Sequence, residues 1–330
     1  MPYYPEQPER QKPAKDRESR KKRYSPWRIA GIGLCLGLIL FGMIKLGEYG
    51  LNWAASRKTS QELRETLPET SRETEPTAEV SERAVTTAVP KDEPEIPEAA
   101  EESEPAPAPA GNLLAEVPYP DNNPPMIREK FYELRRKSEW AVGWLKVSDL
   151  VDEAVVQRDN SFFLNHDAMG NRNSNGAIFL EEEVSLRTRP YGMMLFGHNM
   201  KSGTMFGELR KFENAGYCYQ HRILTLDTIY EDGTYVIFGV ARVHLNPGTA
   251  NYTDLYAFQS NDRARRATAL EQLRKACSYV GAEDVQPEDQ ILLLVTCVED
   301  DDIRLVVAAR RLRDHETENR QDLRKVQARR

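Results

Sequence analysis

From about residue 121 the chain predicts a mainly β fold, a largely antiparallel sheet closed on itself and carrying few helices. Two observations predict it. Short runs such as "EAVVQ", "GAIFLE", "YGMMLFGHN", "HRILTLDT" and "GTYVIFGVARVHL" are enriched in β-branched and aromatic residues and are bounded by Gly, Asn or Asp. Two longer aliphatic runs, "DQILLLVTC" and "IRLVVAARRL", then close the region on either side of a short acidic turn. Many short strands with few helices favour closure, which removes exposed sheet edges.

The elements follow in order. "REKFYELRRKSEWAVGWLKV" begins as an amphipathic helix, with Phe131 and Leu134 on one face, and ends as a strand. "MFGELRKFE" and the segment 261–280, "NDRARRATALEQLRKACSYV", read as helices between strands. The basic stretch 314–330 after the last strand reads as a solvated or partly helical tail.

The amino-terminal third is different in kind. Mean hydropathy over the chain is -0.64, low for a wholly folded protein. Residues 1–26 form a basic tail; 1–28 hold nine Lys or Arg against four acids. Then "WRIAGIGLCLGLILFGMIKLGEYGLNW" carries an apolar core from Ile29 to Ile44, flanked by Lys45, Trp27 and Trp53. Snorkelling lysine and interfacial aromatics extend such a core toward the roughly 20 residues a spanning helix needs. One transmembrane signal-anchor helix is expected at 27–49. The basic flank keeps the amino terminus in the cytoplasm and exports the remainder. Gly33 and Gly37 form a GxxxG pair, a helix-pairing face unless coincidental. Residues 50–120 are rich in Glu, Pro, Thr and Ala and nearly free of aromatics, so they read as a disordered spacer. As a flexible coil its ends would lie roughly 40 Å apart. The net charge of -7 owes much to this segment and says little about what the folded part binds; no nucleic-acid partner is expected.

Outside the apolar helix, which holds Cys35, the cysteines are Cys218, Cys277 and Cys297. Three can close at most one disulfide, so an exported domain retains at least one thiol. No CxxC pair exists and no set of four zinc ligands can be assembled. Cys277 in its helical segment and Cys218 in "AGYCYQH" read as buried structural residues, which leaves Cys297 as the candidate nucleophile. Of five histidines, His166 and His315 read as loop residues, His244 as a strand residue and His221 as the start of a strand. His198 lies where an apolar strand meets a Gly and a polar loop, the kind of strand end that presents functional groups. A thiol needs an imidazole to take or share its proton, and a cation to steady the oxyanion it creates. The acidic turn Glu299–Asp302 returns Arg304 beside Cys297 on an adjacent antiparallel strand; its spacing fits no EF-hand.

With those residues in place the sequence resembles the class B sortases. "LFGHNMKSGTMFGELRKF" is similar to the family's histidine block, "LLLVTC" to its TLxTC motif and "IRLVVAARR" to its arginine strand. "VGWLKV", "VVQRDNSFFL" and "GNRNSNGAIFLE" match its entry strands, and the likeness covers about 125–313. It implies a sortase-type barrel over 121–313, with the 261–280 helix in the β6/β7 connection that walls the substrate groove. It implies His198 as acid/base, Cys297 as nucleophile and Arg304 as oxyanion and substrate stabiliser. Asn160, Leu164, Phe196 and Thr296 are the implied groove residues. No metal or organic cofactor is called for. The implied activity is a membrane-anchored cysteine transpeptidase on a Gram-positive surface, held in the lipid bilayer by 27–49. It would cleave an NPxTN-like sorting signal through a thioacyl intermediate and pass the cargo to a cell-wall amine. A pilin-polymerising sortase, an exported cysteine protease and a non-catalytic binding module are the alternatives. Leu293 replaces the first Thr of TLxTC, Val295 a common Ser and Phe196 the usual Tyr, departures that touch the groove.

Overall fold

The computed structural model describes residues 26–68, 118–281, 284–297, 302–313, 316 and 326–328, with backbone alone at 26–34, 280, 297 and 326–328. Among the described residues ten strands form one sheet. They are β1 Ala141–Val147, β2 Val151–Val156, β3 Ile178–Leu180, β4 Gly192–Phe196 and β5 Ile223–Thr228, then β6 Thr234–His244, β7 Cys277–Gly281, β8 Ile291–Cys297, β9 Ile303–Arg311 and β10 Val326–Ala328. Their order is β10-β7-β6-β5-β1-β2-β3-β4-β8-β9, and β9 returns to pair with β6. Eight strands from β6 round to β9 therefore close a barrel, as the strand pattern predicts. Long β6 makes closure possible: residues 234–236 pair with β5, 239–241 with β7, and its other edge with β9. The sheet is not uniformly antiparallel. Strands β2 and β3, and β4 and β8, run parallel.

The unbroken aliphatic runs of β8 and β9 follow from burial on both faces. Leu292 and Leu294 of β8 join Leu305 and Val307 of β9 inside the barrel. Ile291, Leu293 and Val295 join Val306 and Ala308 in an outer layer roofed by the helix Arg263–Ala276. That helix starts at Asp262, whose carboxylate accepts from Ala264 N at 2.8 Å, and buries Ala269, Leu270 and Leu273. It lies between β6 and β7, and stops before Cys277, which opens β7 and is buried in no disulfide. His221 closes the helix Ala215–His221, whose interior buries Cys218, and does not open β5. "MFGELRKFE" gives only a 3-10 turn at Leu209–Glu213. In these segments helical and strand patterns abut within two or three residues, so neighbouring strands decide the boundary.

The largest difference is at the amino terminus. Helix α1 runs Pro26–Arg64, well past the expected end at 49 and into the expected spacer. Two leucines four residues apart explain it: Leu63 is 1 % exposed and Leu67 4 %, both in an apolar cluster with Phe131, Leu134, Trp144, Phe163 and Phe179. The polar residues between them hid this stripe. Among the described residues no helix is long and apolar enough to cross a membrane. Part of the apolar run, 29–34, lies beyond the described side chains, as do the tail 1–25, the spacer from 69 to 117 and the turn 298–301.

The basic tail is also not wholly solvated. Val326–Ala328 pairs antiparallel with β7, and Glu316 grips Arg310 through two hydrogen bonds of 2.6 Å. Arg310 is 1 % exposed, so Glu316→Ala strands a buried charge. We expect a loss of roughly 3–5 kcal/mol in urea unfolding, most of it recovered when Arg310 is also made Met. A loss below about 0.5 kcal/mol would show that the pair does not matter.

Glu153 of β2 faces α1. Burial pushes its carboxyl up to about 7, against a hydrogen bond from Ser60; Asp152 raises it further and Arg57 and Arg64 lower it. The folded state thus holds a proton that the unfolded chain releases near 4.5. The associated stability is full below that value and lost as pH rises through about 7. Because Glu153 is only half-buried, we expect Glu153→Gln to gain roughly 1–2 kcal/mol at pH 8, about 3–6 °C in Tm. At pH 4 the variant should match the parent. Equal Tm values at both pH values would refute this.

Candidate active site

Parallel pairing of β4 and β8 sets the site. Phe196 stands opposite Val295, and Gly197 N still donates to Val295 O at 3.3 Å. His198 is the second residue past Phe196 and Cys297 the second past Val295, so both stand at the same end of the ladder. Across the other side of β8, Cys297 is the register partner of Arg304. Three backbones thus follow one another across the same rim, at about 4.8 Å per strand spacing. Arg304 alternates with buried Leu305, so it shares the face of Val306 and Ala308 beneath the roofing helix.

The imidazole is fixed from outside the barrel. His198 Nε2 lies 2.7 Å from Leu164 O. A carbonyl only accepts, so Nε2 carries the proton and Nδ1 is left to exchange one with a neighbour. Gly176 stands against the ring with φ +64°. A side chain there would come 2.3 Å from Phe163 O and 3.1 Å from His198 Cδ2, so only glycine lets the loop approach so closely. On the other side, His198 O accepts from Phe206 N at 3.0 Å.

The remaining expected site residues separate. Leu164 is 44 % exposed beside the imidazole. Phe196 is half-buried at the end of β4, its ring 5.5 Å from that of Phe179. Thr296 is 2 % exposed, and its hydroxyl meets no partner among the described residues. Asn160 departs from expectation. Its amide Nδ2 donates to Glu181 Oε1 at 3.0 Å and its Oδ1 accepts from Glu182 N at 3.0 Å, so its polar atoms brace a loop to the end of β3. Glu181 N bonds Met194 O, four residues before His198, or about 13 Å down the strand. Of the other histidines, His244 ends β6, His166 stacks on Phe162 at 4.0 Å and His221 bonds Ser148. The reading of the sequence missed Leu164 O and Gly176 as partners of the imidazole; the Asn-Gly step at 175–176 was the available signal.

An imidazole, a cysteine backbone and a guanidinium strand on one rim suit acyl transfer by a thiol. No family model matches the chain. Two curated proteins match it over about half its length. Sortase B of Listeria monocytogenes is 24% identical over 175 residues, which cover 52% of this chain and 68% of that protein. Sortase B of Staphylococcus aureus is 26% identical over 176 residues, with the same coverage of each. Among solved structures, sortase B from B. anthracis in complex with AAEK2 superposes with a TM-score of 0.51 at 26% identity, over 61% of this chain and 89% of that one. The matched length is far more than one motif, so the chain is similar in sequence and fold to sortase B proteins, which are cysteine transpeptidases.

Proposed function

We propose that the protein cleaves a carboxy-terminal sorting signal and transfers its cargo to an amine of the cell wall. The observation that carries this reading is the register. His198 follows two residues after Phe196, Cys297 two residues after its parallel partner Val295, and Arg304 is the antiparallel partner of Cys297. In this reading Cys297 attacks the backbone carbonyl of the signal as a thiolate, and its proton passes to His198 Nδ1. The Arg304 guanidinium holds the oxyanion of the tetrahedral intermediate. His198 returns the proton to the departing amine, leaving a thioacyl enzyme. An incoming amine then gives up its proton to His198, attacks the thioester and expels the thiolate. Leu164 and Phe196 line the peptide's path, and Thr296 supports the nucleophile from within the barrel. An NPxTN-like signal is the motif proposed by resemblance.

We further propose that the enzyme works from a membrane anchor, amino terminus inside and barrel outside. The support is the basic flank of 1–28, the apolar run Ile29–Ile44, and the exposure of Leu36, Leu38, Ile39, Leu40, Phe41, Met43 and Ile44, each more than half exposed. Apolar residues on every side of a helix suit a lipid surrounding.

Incubating the protein with pentapeptide signals and oligoglycine tests the reaction. Turnover should rise with the amine and yield an amide product; turnover indifferent to amine would make the protein a hydrolase. Sequencing the product junction separates a wall amine from a pilin lysine. Cys297→Ala should abolish both product and thioacyl adduct, on the order of 10³-fold or more. Arg304→Ala should lower kcat by about 10²–10³, and Arg304→Lys should recover only part, because the planar fork is lost. Full transfer activity in Cys297→Ala would end the proposal.

A further inference from the structure

The loop 163–177 supplies both contacts that fix the imidazole, the Leu164 carbonyl and Gly176. What holds that loop is residues 52–67, the end of α1 and the turn that follows it. Asp167, 4 % exposed, organises one half of the loop by accepting from Met169 N at 3.0 Å and Asn171 N at 2.9 Å through Oδ1. Its second oxygen receives the Thr59 hydroxyl at 3.0 Å. The other half is tied at Asn52, whose Nδ2 donates to Ser174 Oγ at 2.8 Å. The main-chain oxygen of Asn52 accepts from Asn173 Nδ2 at 3.2 Å and Asn175 Nδ2 at 3.5 Å. Both asparagines are fully buried. Asn173 O in turn accepts from Gly176 N at 3.0 Å, so bonds lead from the Asn52 main chain to the glycine beside His198, while the Asn52 side chain separately ties Ser174 of the same loop. Beneath it, Leu63 and Leu67 share one apolar cluster with Phe163, Ala168 and Ala177.

A loop pinned only by its own turns would let the Leu164 carbonyl wander; one pinned at both halves to a helix holds it. We propose that Asn52 and Thr59 are positioning residues, and that residues 52–67, the end of α1 and its following turn, set the orientation and tautomer of His198 through the loop 163–177. The proposal deepens the catalytic reading above, in that it rests on His198 being the acid/base. It gives the segment just after the apolar run a part in the reaction beyond that of a spacer.

The test uses the full chain with Asn52→Ala, Thr59→Val, both together, and Thr59→Ser. Three quantities are read: the ¹⁵N resonances of the His198 ring, kcat and KM for peptide transfer, and Tm. The double variant should stay folded, with the Nε2–H resonance shifted or broadened. Its kcat should fall roughly 10-fold with KM unchanged, well within the 10²-fold that an ångström of misplacement can cost. Thr59→Ser keeps the hydroxyl and should restore both readouts. A double variant with parental ring resonances and kcat would overturn the proposal. So would a loss of activity that follows only the unfolded fraction and that Thr59→Ser fails to restore. The ring resonances need no substrate: if they shift in a chain that transfers no peptide, the catalytic reading fails while the coupling stands.

Discussion

The parallel pairing of β4 with β8 is the constraint on which the rest of the site depends. In a parallel ladder both chains leave the sheet at the same rim, so the residues just past Phe196 and Val295 emerge side by side. An antiparallel partner would have carried one of them to the opposite end of the barrel. The hairpin of β8 and β9 adds the third chain at the same rim without further topology. Parallel neighbours require a long crossover, and the chain makes it through β5, β6 and β7 with their helices. The price of that route is high contact order, met by a core that is buried on both faces of β8 and β9.

Two-sided burial also accounts for the rigidity a site of this kind needs. Leu292 and Leu294 point into the barrel while Leu293 and Val295 pack beneath the helix Arg263–Ala276. A strand wedged between two apolar layers cannot slip by one residue without exchanging its faces. The register that sets Cys297 opposite Arg304, and Val295 opposite Phe196 just before His198, is therefore maintained by side chains on both faces of β8.

Much of this was legible in the sequence. Strand-rich patterning announced the closed sheet, and the aliphatic runs flanking a short acidic turn announced the hairpin that carries Cys297 and Arg304. His198 stood out because an apolar strand stopped at Gly197. The parallel pairs were not legible, because local patterns carry no information on which distant strand becomes a neighbour. Residues 52–67 were hidden because only Leu63 and Leu67 mark their buried stripe amid polar residues. The bonds of Asn160 to Glu181 and Glu182 were not legible, because those partners lie across a loop in space. The tail's contacts, Val326–Ala328 on β7 and Glu316 on Arg310, were not legible because they are made in the folded chain and not by local pattern.

The acceptor of the imidazole proton is a main-chain oxygen, that of Leu164. No exchange of side chain at this position can delete it. The leucine itself projects toward solvent, 44 % exposed, so natural drift or an engineer can vary its shape and polarity while the imidazole keeps its anchor. Under the proposed reaction, the anchor of the imidazole and the surface offered to a peptide would sit on two different parts of one residue, free to evolve apart.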